Sequence, residues 1–566
     1  MAICVAFGGL AVRLVMLQIV DAPAYARIAA DQREREILFP ARRGTIFDRS
    51  GEPLGISVDL QTIYADPKLV EDVEAEAEKL APILGQKPEA VAARLAGSEE
   101  GDRFEYLARQ VEPRISNDVE ALDLPGVYMR PEPKRYYPND RLASHILGFA
   151  DVDGKGVAGI ELQYENVLRG EPGRMILEQD PAGNALPQAE FTYERPSPGR
   201  DLVLTIDKEL QYFTELTLER ATAAYNAKAA TAVIMRPDTG EILAMATVPD
   251  FDPNNAGDFP TAALRNRAVV DTYEPGSIFK AVTVSGALQE ALVTPRTKFI
   301  VPDKMAYIDR VFHDSHSHPT EEMSTSEIIK DSSNVGTIQI GLKLGAELLD
   351  HYVHEFGFGT PTGLDFPGEV AGQVLPLEDW YGTTVATVPI GQGIAVTQMQ
   401  MASAYSTLAN GGVWVEPKLL SGTMTSDGKF SPSPEPTRTR VVSRKVAGQV
   451  TKMLVQVVKD GTGIEGQVPG YKVAGKTGTA EKVVRTGGYG DEYVGSFAGF
   501  APADDPKIVM VISFDEPDAK YGGVTAAPTF ATIAEFALRR LGVPPHTDAA
   551  QAAEAVRDYE AEPAHD

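Results

Sequence analysis

The period of the apolar positions changes along the chain, and those changes predict most of its elements. Residues 1–20, MAICVAFGGLAVRLVMLQIV, are apolar apart from Arg13 and Gln18. The uninterrupted run before Arg13 is shorter than the ~20 residues that span a bilayer. It reads as the outer end of a membrane anchor that begins upstream. A cleaved signal peptide competes, with Ala22 to Ala26 as the cleavage region, but no basic residue precedes the run. A buried helix is the third reading. Asp21 to Glu36 is polar, alanine-rich and helical in pattern. PARRGTIFDRSGEPLG, residues 40–55, alternates like strands around turns, and Val70 to Ala96 has the pattern of a helix. After breakers at Pro196 to Gly199, residues 201–221 read as strand, turn, helix. Residues 231–251 read as a hairpin turning at Asp238-Thr239-Gly240. A boundary near residue 200 follows. The expected parts are an anchor (1–20), an N-terminal module (21–200), a compact second module (201–545) and an acidic tail (546–566) with too little apolar surface to fold.

At 566 residues the chain needs two or three domains, and a hydrophobic share of 43% with 23% charged residues is globular. The net charge of −27 excludes a nucleic-acid surface, which needs clustered Lys and Arg. The one cysteine, Cys4, leaves no disulfide framework, no thiolate metal site and no catalytic thiol in the folded part.

Three short motifs carry the candidate chemistry. In DTYEPGSIFK, Pro275 and Gly276 punctuate the chain ahead of an apolar helix pattern. Ser277 then sits near a helix N-terminus, and Lys280 lies one turn later on the same face. Unpaired N–H groups favour negative charge beside the hydroxyl, and a desolvated amine can take its proton. Alone, S-x-x-K is a chance match on an ordinary helix. In DSSN, Ser332 and Asn334 can turn toward one site from a loop: a hydroxyl relays protons and a carboxamide holds a peptide backbone. Alone, this pair reads as a helix cap. In AGKTGTAEK, between two strand-like flanks, Lys476 and Gly478 alternate with Thr477 and Thr479. Lys476 and the hydroxyls offer a carboxylate site, and Gly478 leaves room for substrate backbone along the edge.

Together and in this order the three motifs are specific. The chain resembles a class B penicillin-binding protein, the monofunctional peptidoglycan D,D-transpeptidase, and among these the cell-division (septal) type. The resemblance runs through LQIVDAPAYA, RRGTIFDRSGEPL, YYPNDRLASHILGF, GIELQYENVLRGEPG, RNRAVVDTYEPGSIFK, SSN, IGQGIAVTQMQMA and AGKTGTAEK. One departure is Asp331, where such enzymes usually carry Lys. The resemblance implies an α+β fold: an antiparallel sheet flanked by helices, above an elongated β-rich pedestal. It implies Ser277 as nucleophile toward the bond between two terminal D-alanines, with Lys280 as its base. Ser332 would relay the proton, and Asn334 would orient Lys280 and the substrate amide. Lys476, Thr477 and Thr479 would hold the terminal carboxylate, with the N–H groups of Ser277 and Thr479 as oxyanion hole. No metal or organic cofactor is implied. The implied ligands are stem peptides and, as inhibitors, β-lactams. The implied partners are a glycan polymerase of the shape, elongation, division and sporulation family and other division proteins. The implied location is the bacterial cytoplasmic membrane, single-pass, with the catalytic domain outside. A D,D-carboxypeptidase or β-lactamase, with water as acceptor, and a non-catalytic scaffold of the division machinery are the competing readings.

Other motifs are set aside. Asp151-x-Asp153 begins like a calcium loop, but Lys155 and Leu162 occupy ligand positions. Gly461 to Gly466 matches G-x-G-x-x-G but follows a helical pattern instead of a strand. His313, His316 and His318 form a polar cluster without an evident fourth ligand, and a solvated loop is the better reading.

Overall fold

A computed structural model of the chain describes residues 2–20, 34–97, 103–178, 192–483 and 488–545. The C-terminal half is built on a five-stranded antiparallel sheet. Its order is Ile242–Val248, Ala229–Met235, Ile508–Asp515, Tyr489–Ala501, Ala474–Val483. Every residue of Ala229–Met235 is buried, because helices cover both faces and so remove the usual polar alternation. Lys208–Ala224 and Ala526–Arg540 pack on one face through Leu210, Leu218, Phe530 and Leu538. The opposite face meets Gln398–Ala409, which leads into Lys280–Gln289, Asn334–Leu344 and Arg444–Asp460. This is the expected α+β arrangement. The hairpin over 231–251 and the strand–turn–helix over 201–221 form as the pattern predicts, with Asp207 capping the helix at Leu210 N, 3.1 Å.

The N-terminal module has a seven-stranded sheet. Its path is Phe430–Pro432, Leu420–Met424, Asp201–Leu204, Ile46–Phe47, Pro53–Ala65 and Glu105–Val111, with Val127–Tyr136 also on Pro53–Ala65. The two segments from residues 420–432 thus extend a sheet that begins at residue 46. Residues 70–96 form two helices instead of one, Val73–Leu84 and Pro88–Leu95, because Gly85 turns left-handed (φ 64°) and Pro88 starts the second. The polar stretch 21–36 was expected to be helical; 21–33 lies outside the described residues, and Glu34–Phe39 is a strand paired with Gly173–Glu178. The acidic tail, 546–566, also lies outside them.

Three of the stretches that carry the family resemblance meet in a buried ion cluster. Glu161, fully buried, accepts from Arg43 Nε at 2.6 Å and Arg135 Nε at 2.5 Å, and the Tyr137 hydroxyl donates to it at 3.2 Å. Arg43 also pairs with Glu165 at 2.6 Å. The Asp151 region is a turn: Asp151 Oδ1 accepts from Asp153 N and Lys155 N.

The expectation of a single-pass membrane anchor over residues 1–20 is overturned. Ala2–Val15 is an α-helix of 14 residues, about 21 Å at 1.5 Å per residue against a ~30 Å hydrocarbon core, and Met16–Val20 continues as a π-helical turn. Among the described residues no helix is long and apolar enough to cross a membrane.

Candidate active site

Gly276–Phe279 is a single 3₁₀ turn that runs directly into the helix Lys280–Gln289, so Ser277 lies one turn before Lys280 as the spacing predicts. The turn is wedged between two elements distant in sequence. Gly276 N donates to Gly391 O at 3.0 Å, and Gly276 has φ +55° with Thr479 O 3.0 Å from where a Cβ would stand. The Tyr405 hydroxyl donates to Ile278 O at 2.8 Å, and Gly393 N donates to Glu274 Oε1 at 2.8 Å. Gly391 and Gly393 of the IGQGIAVTQMQMA stretch, with Tyr405 just beyond it, form the bed on which the Ser277 turn rests. Ser277 itself is partly exposed.

Lys280 is fully buried and its amine points at the second motif. Nζ donates to Ser332 O at 2.6 Å and to Asn334 Oδ1 at 2.7 Å, with Ser332 Oγ at 3.4 Å; Ser277 is not among these partners. Lys476, also fully buried, donates to Ser332 Oγ at 2.8 Å and to Thr477 O at 3.2 Å. One hydroxyl is thus shared by two lysines. Burial pushes the Lys280 amine down to about 7, against a weaker upward pull from Asp314. Burial, and after it the charge of Lys280, hold Lys476 well below the usual lysine range. Ser332 is left-handed (φ +61°), an uncommon conformation for serine, at the junction of Thr325–Lys330 and Asn334–Leu344. Asn334 opens the second of these helices, so it is helical and not in a loop.

The Lys476 strand, Ala474–Val483, is the edge of the five-stranded sheet, and its free edge carries Thr479. Gly478 is also required by packing. A Cβ there would lie 2.3 Å from Ser496 Oγ, 3.1 Å from Ile278 Cγ2 and 3.2 Å from Pro275 O. The glycine lets the strand pack against the Ser277 turn. Thr477 Oγ1 lies 2.8 Å from Thr462 Oγ1, and Thr479 Oγ1 accepts from Gly522 N at 3.4 Å. A cavity of ≈1110 Å³ lies beside this centre and touches it at Glu274, Ala480 and Glu481.

Sequence reasoning missed Asp314. Its carboxylate accepts from Ser333 Oγ at 2.7 Å, Asn334 N at 2.5 Å and Val335 N at 2.9 Å, tying residues 310–318 to the start of Asn334–Leu344. It stood among the three histidines, which drew attention as metal ligands. Those rings do not converge: His313 bonds Asp314 O, His316 bonds Ser315 Oγ, and His318 bonds Pro319 O and Asp314 Oδ2. No group of three or more His, Cys, Asp or Glu placed to hold a metal occurs among the described residues. Thr462 belongs to the glycine-rich segment set aside above, which follows the helix Arg444–Asp460 as a turn. Asp331 caps Thr325–Lys330 and pairs with Lys330 at 3.4 Å, away from both buried lysines, and burial raises its carboxyl.

Residues 230–535 match the penicillin binding protein transpeptidase domain, and residues 38–204 match the penicillin-binding protein dimerisation domain. This chain belongs to the class B penicillin-binding protein transpeptidase family. Within the family it is 34% identical to Stage V sporulation protein D of Bacillus subtilis, over 94% of this chain and 83% of that one. It is also 34% identical to the peptidoglycan D,D-transpeptidase FtsI of Escherichia coli, over 89% of this chain and 84% of that one. Penicillin binding protein 3 of Mycobacterium tuberculosis, solved with aztreonam, superposes with a TM-score of 0.72 at 30% identity, covering 90% of this chain and 98% of that one. As a penicillin-binding protein the chain is a peptidoglycan-active enzyme, with the dimerisation-type module followed by the transpeptidase fold.

Proposed function

We propose that this penicillin-binding protein cross-links peptidoglycan stem peptides during septal wall synthesis through an acyl-enzyme on Ser277. The observation that carries the reading is the Lys280 amine: fully buried, lowered to about 7, and held by Asn334 one turn from Ser277. Such an amine is partly neutral near pH 7 and can accept a proton. The Ser277 oxygen attacks the carbonyl between the terminal D-alanines as its proton passes to Lys280. The N–H groups of Ser277 and Thr479 hold the oxyanion, each worth ~10²–10³ in rate. The C–N bond then breaks, Ser332 gives its proton to the departing D-alanine and takes the one held by Lys280, and an ester remains on Ser277. An amine of a second stem peptide attacks that ester, forms the cross-link and returns the proton to the serine.

Lys476, Thr477 and Thr479 receive the terminal carboxylate. Among the described residues no carboxylate pairs with Lys476, buried beside Lys280, and an arriving carboxylate supplies a counter-charge. β-Lactams, which also present a carboxylate and an acylating carbonyl, stop the enzyme at the ester. The septal role and pairing with a glycan polymerase of the shape, elongation, division and sporulation family and with other division proteins follow from the family resemblance. The test supplies a D-Ala-D-Ala stem peptide together with a D-amino acid acceptor. Exchange of the terminal residue, absent in Ser277→Ala, is expected; release of D-alanine without exchange would make the protein a hydrolase.

A further inference from the structure

The chain carries a net charge of −27, yet one helix keeps a cationic groove. Arg444, Gly448, Lys452, Val455 and Lys459 recur at helical spacing along one side of Arg444–Asp460 and line a groove of ≈870 Å³. Its floor is apolar, from Leu408, Val468 and Val473. Arg444, Lys452 and Lys459 are exposed and form no ion pair among the described residues; Lys472, on the far wall, pairs with Asp504 at 3.8 Å. Gly448 is a second, independent sign. A Cβ there would meet nothing within 4 Å, so no neighbour requires the glycine, although glycine inside a helix costs about 1 kcal/mol relative to alanine. The groove is kept open and positive in a protein that is otherwise strongly acidic.

The last described residues leave the fold at its rim. The hydroxyl of Tyr471, which lines the groove, donates to Val543 O at 2.6 Å, and Pro545 packs where a Gly470 Cβ would be. Beyond them, residues 546–566 carry Asp548, Glu554, Asp558, Glu560, Glu562 and Asp566 against Arg557 alone, with Val556 and Tyr559 as their larger apolar side chains. Even at the ~1.5 Å rise of a helix, the segment reaches about 30 Å, longer than the ~26 Å of Arg444–Asp460. We propose that residues 546–566 dock in this groove in the same chain, their carboxylates facing Arg444, Lys452 and Lys459 and their apolar side chains on its floor. The docked segment covers the outer side of the helix whose inner side packs on the Lys476 strand.

The test is zero-length carbodiimide cross-linking of the intact protein, prepared as a mixture of ¹⁴N and ¹⁵N chains and mapped by mass spectrometry. Links within one chain from Glu554, Asp558, Glu560 or Glu562 to Lys452 or Lys459 are expected. Reversing one groove charge, Lys452→Glu, should lower the yield at Lys459 roughly fivefold while leaving the melting temperature unchanged. Links between differently labelled chains would assign the groove to a second copy and overturn the proposal. So would tail links spread over exposed lysines elsewhere, or no loss of yield in Lys452→Glu.

Discussion

Lys280 and Lys476 are two buried amines brought to one hydroxyl, and their environments decide what each can do. Because the Lys280 amine is lowered to about 7, the fraction able to accept a proton grows as pH rises through neutrality. β-Lactam acylation should increase from pH 6 and level off above pH ~8, as a stopped-flow pH profile would show. Lys280→Arg, charged at every accessible pH, should lower acylation by ~10² or more and abolish that titration. The same shift acts on stability. Between about 7 and the ordinary ~10.4 the unfolded chain binds a proton that folded Lys280 does not, so its contribution makes stability rise with pH. Gly478 is the other residue that decides. Gly478→Ala places a methyl against Ser496, Ile278 and the Pro275 carbonyl, and such overpacking costs roughly 1–3 kcal/mol. We expect a lower melting temperature and at least tenfold slower acylation (~10-fold per 1.4 kcal/mol), because the strand retreats from the Ser277 turn.

At the scale of elements, the site is a junction of three segments, and Asp314 fastens the middle one. Charge-assisted hydrogen bonds contribute ~1.5–3 kcal/mol, so Asp314→Asn should cost about that much in denaturant unfolding. It should slow acylation as Asn334 loses its fixed position, while penicillin still labels Ser277. The three motifs were legible only as an ordered set: alone, the serine–lysine turn, the Ser332–Asn334 pair and the Lys476 strand each read as ordinary structure. Asp314, Thr462 and Tyr405 were not legible, because each reaches its motif from a different segment and none has a local signature. The close packing at Gly478 was not legible for the same reason. Its neighbours, Ile278 and Ser496, come from elsewhere in the chain. Likewise, alternation predicts strands over residues 40–55, but nothing local says that residues 420–432 continue their sheet.

At the scale of the whole molecule, the two modules are joined by that shared sheet, while buried charge ties together separate stretches of the N-terminal module. Arg43, Arg135 and Glu161 come from separate stretches and satisfy one another away from water. Glu161→Ala leaves two buried guanidinium groups short of an acceptor, a loss of ~3–5 kcal/mol. Thermal unfolding should show the loss, with little dependence on salt because the cluster is buried. The proposed function requires Ser277 to be acylated. It is tested most directly by incubating the protein and Ser277→Ala with a penicillin and following intact mass over hours. A single stable penicilloyl adduct on the parent protein and none on the variant is expected. An adduct on both, or on neither, would contradict it.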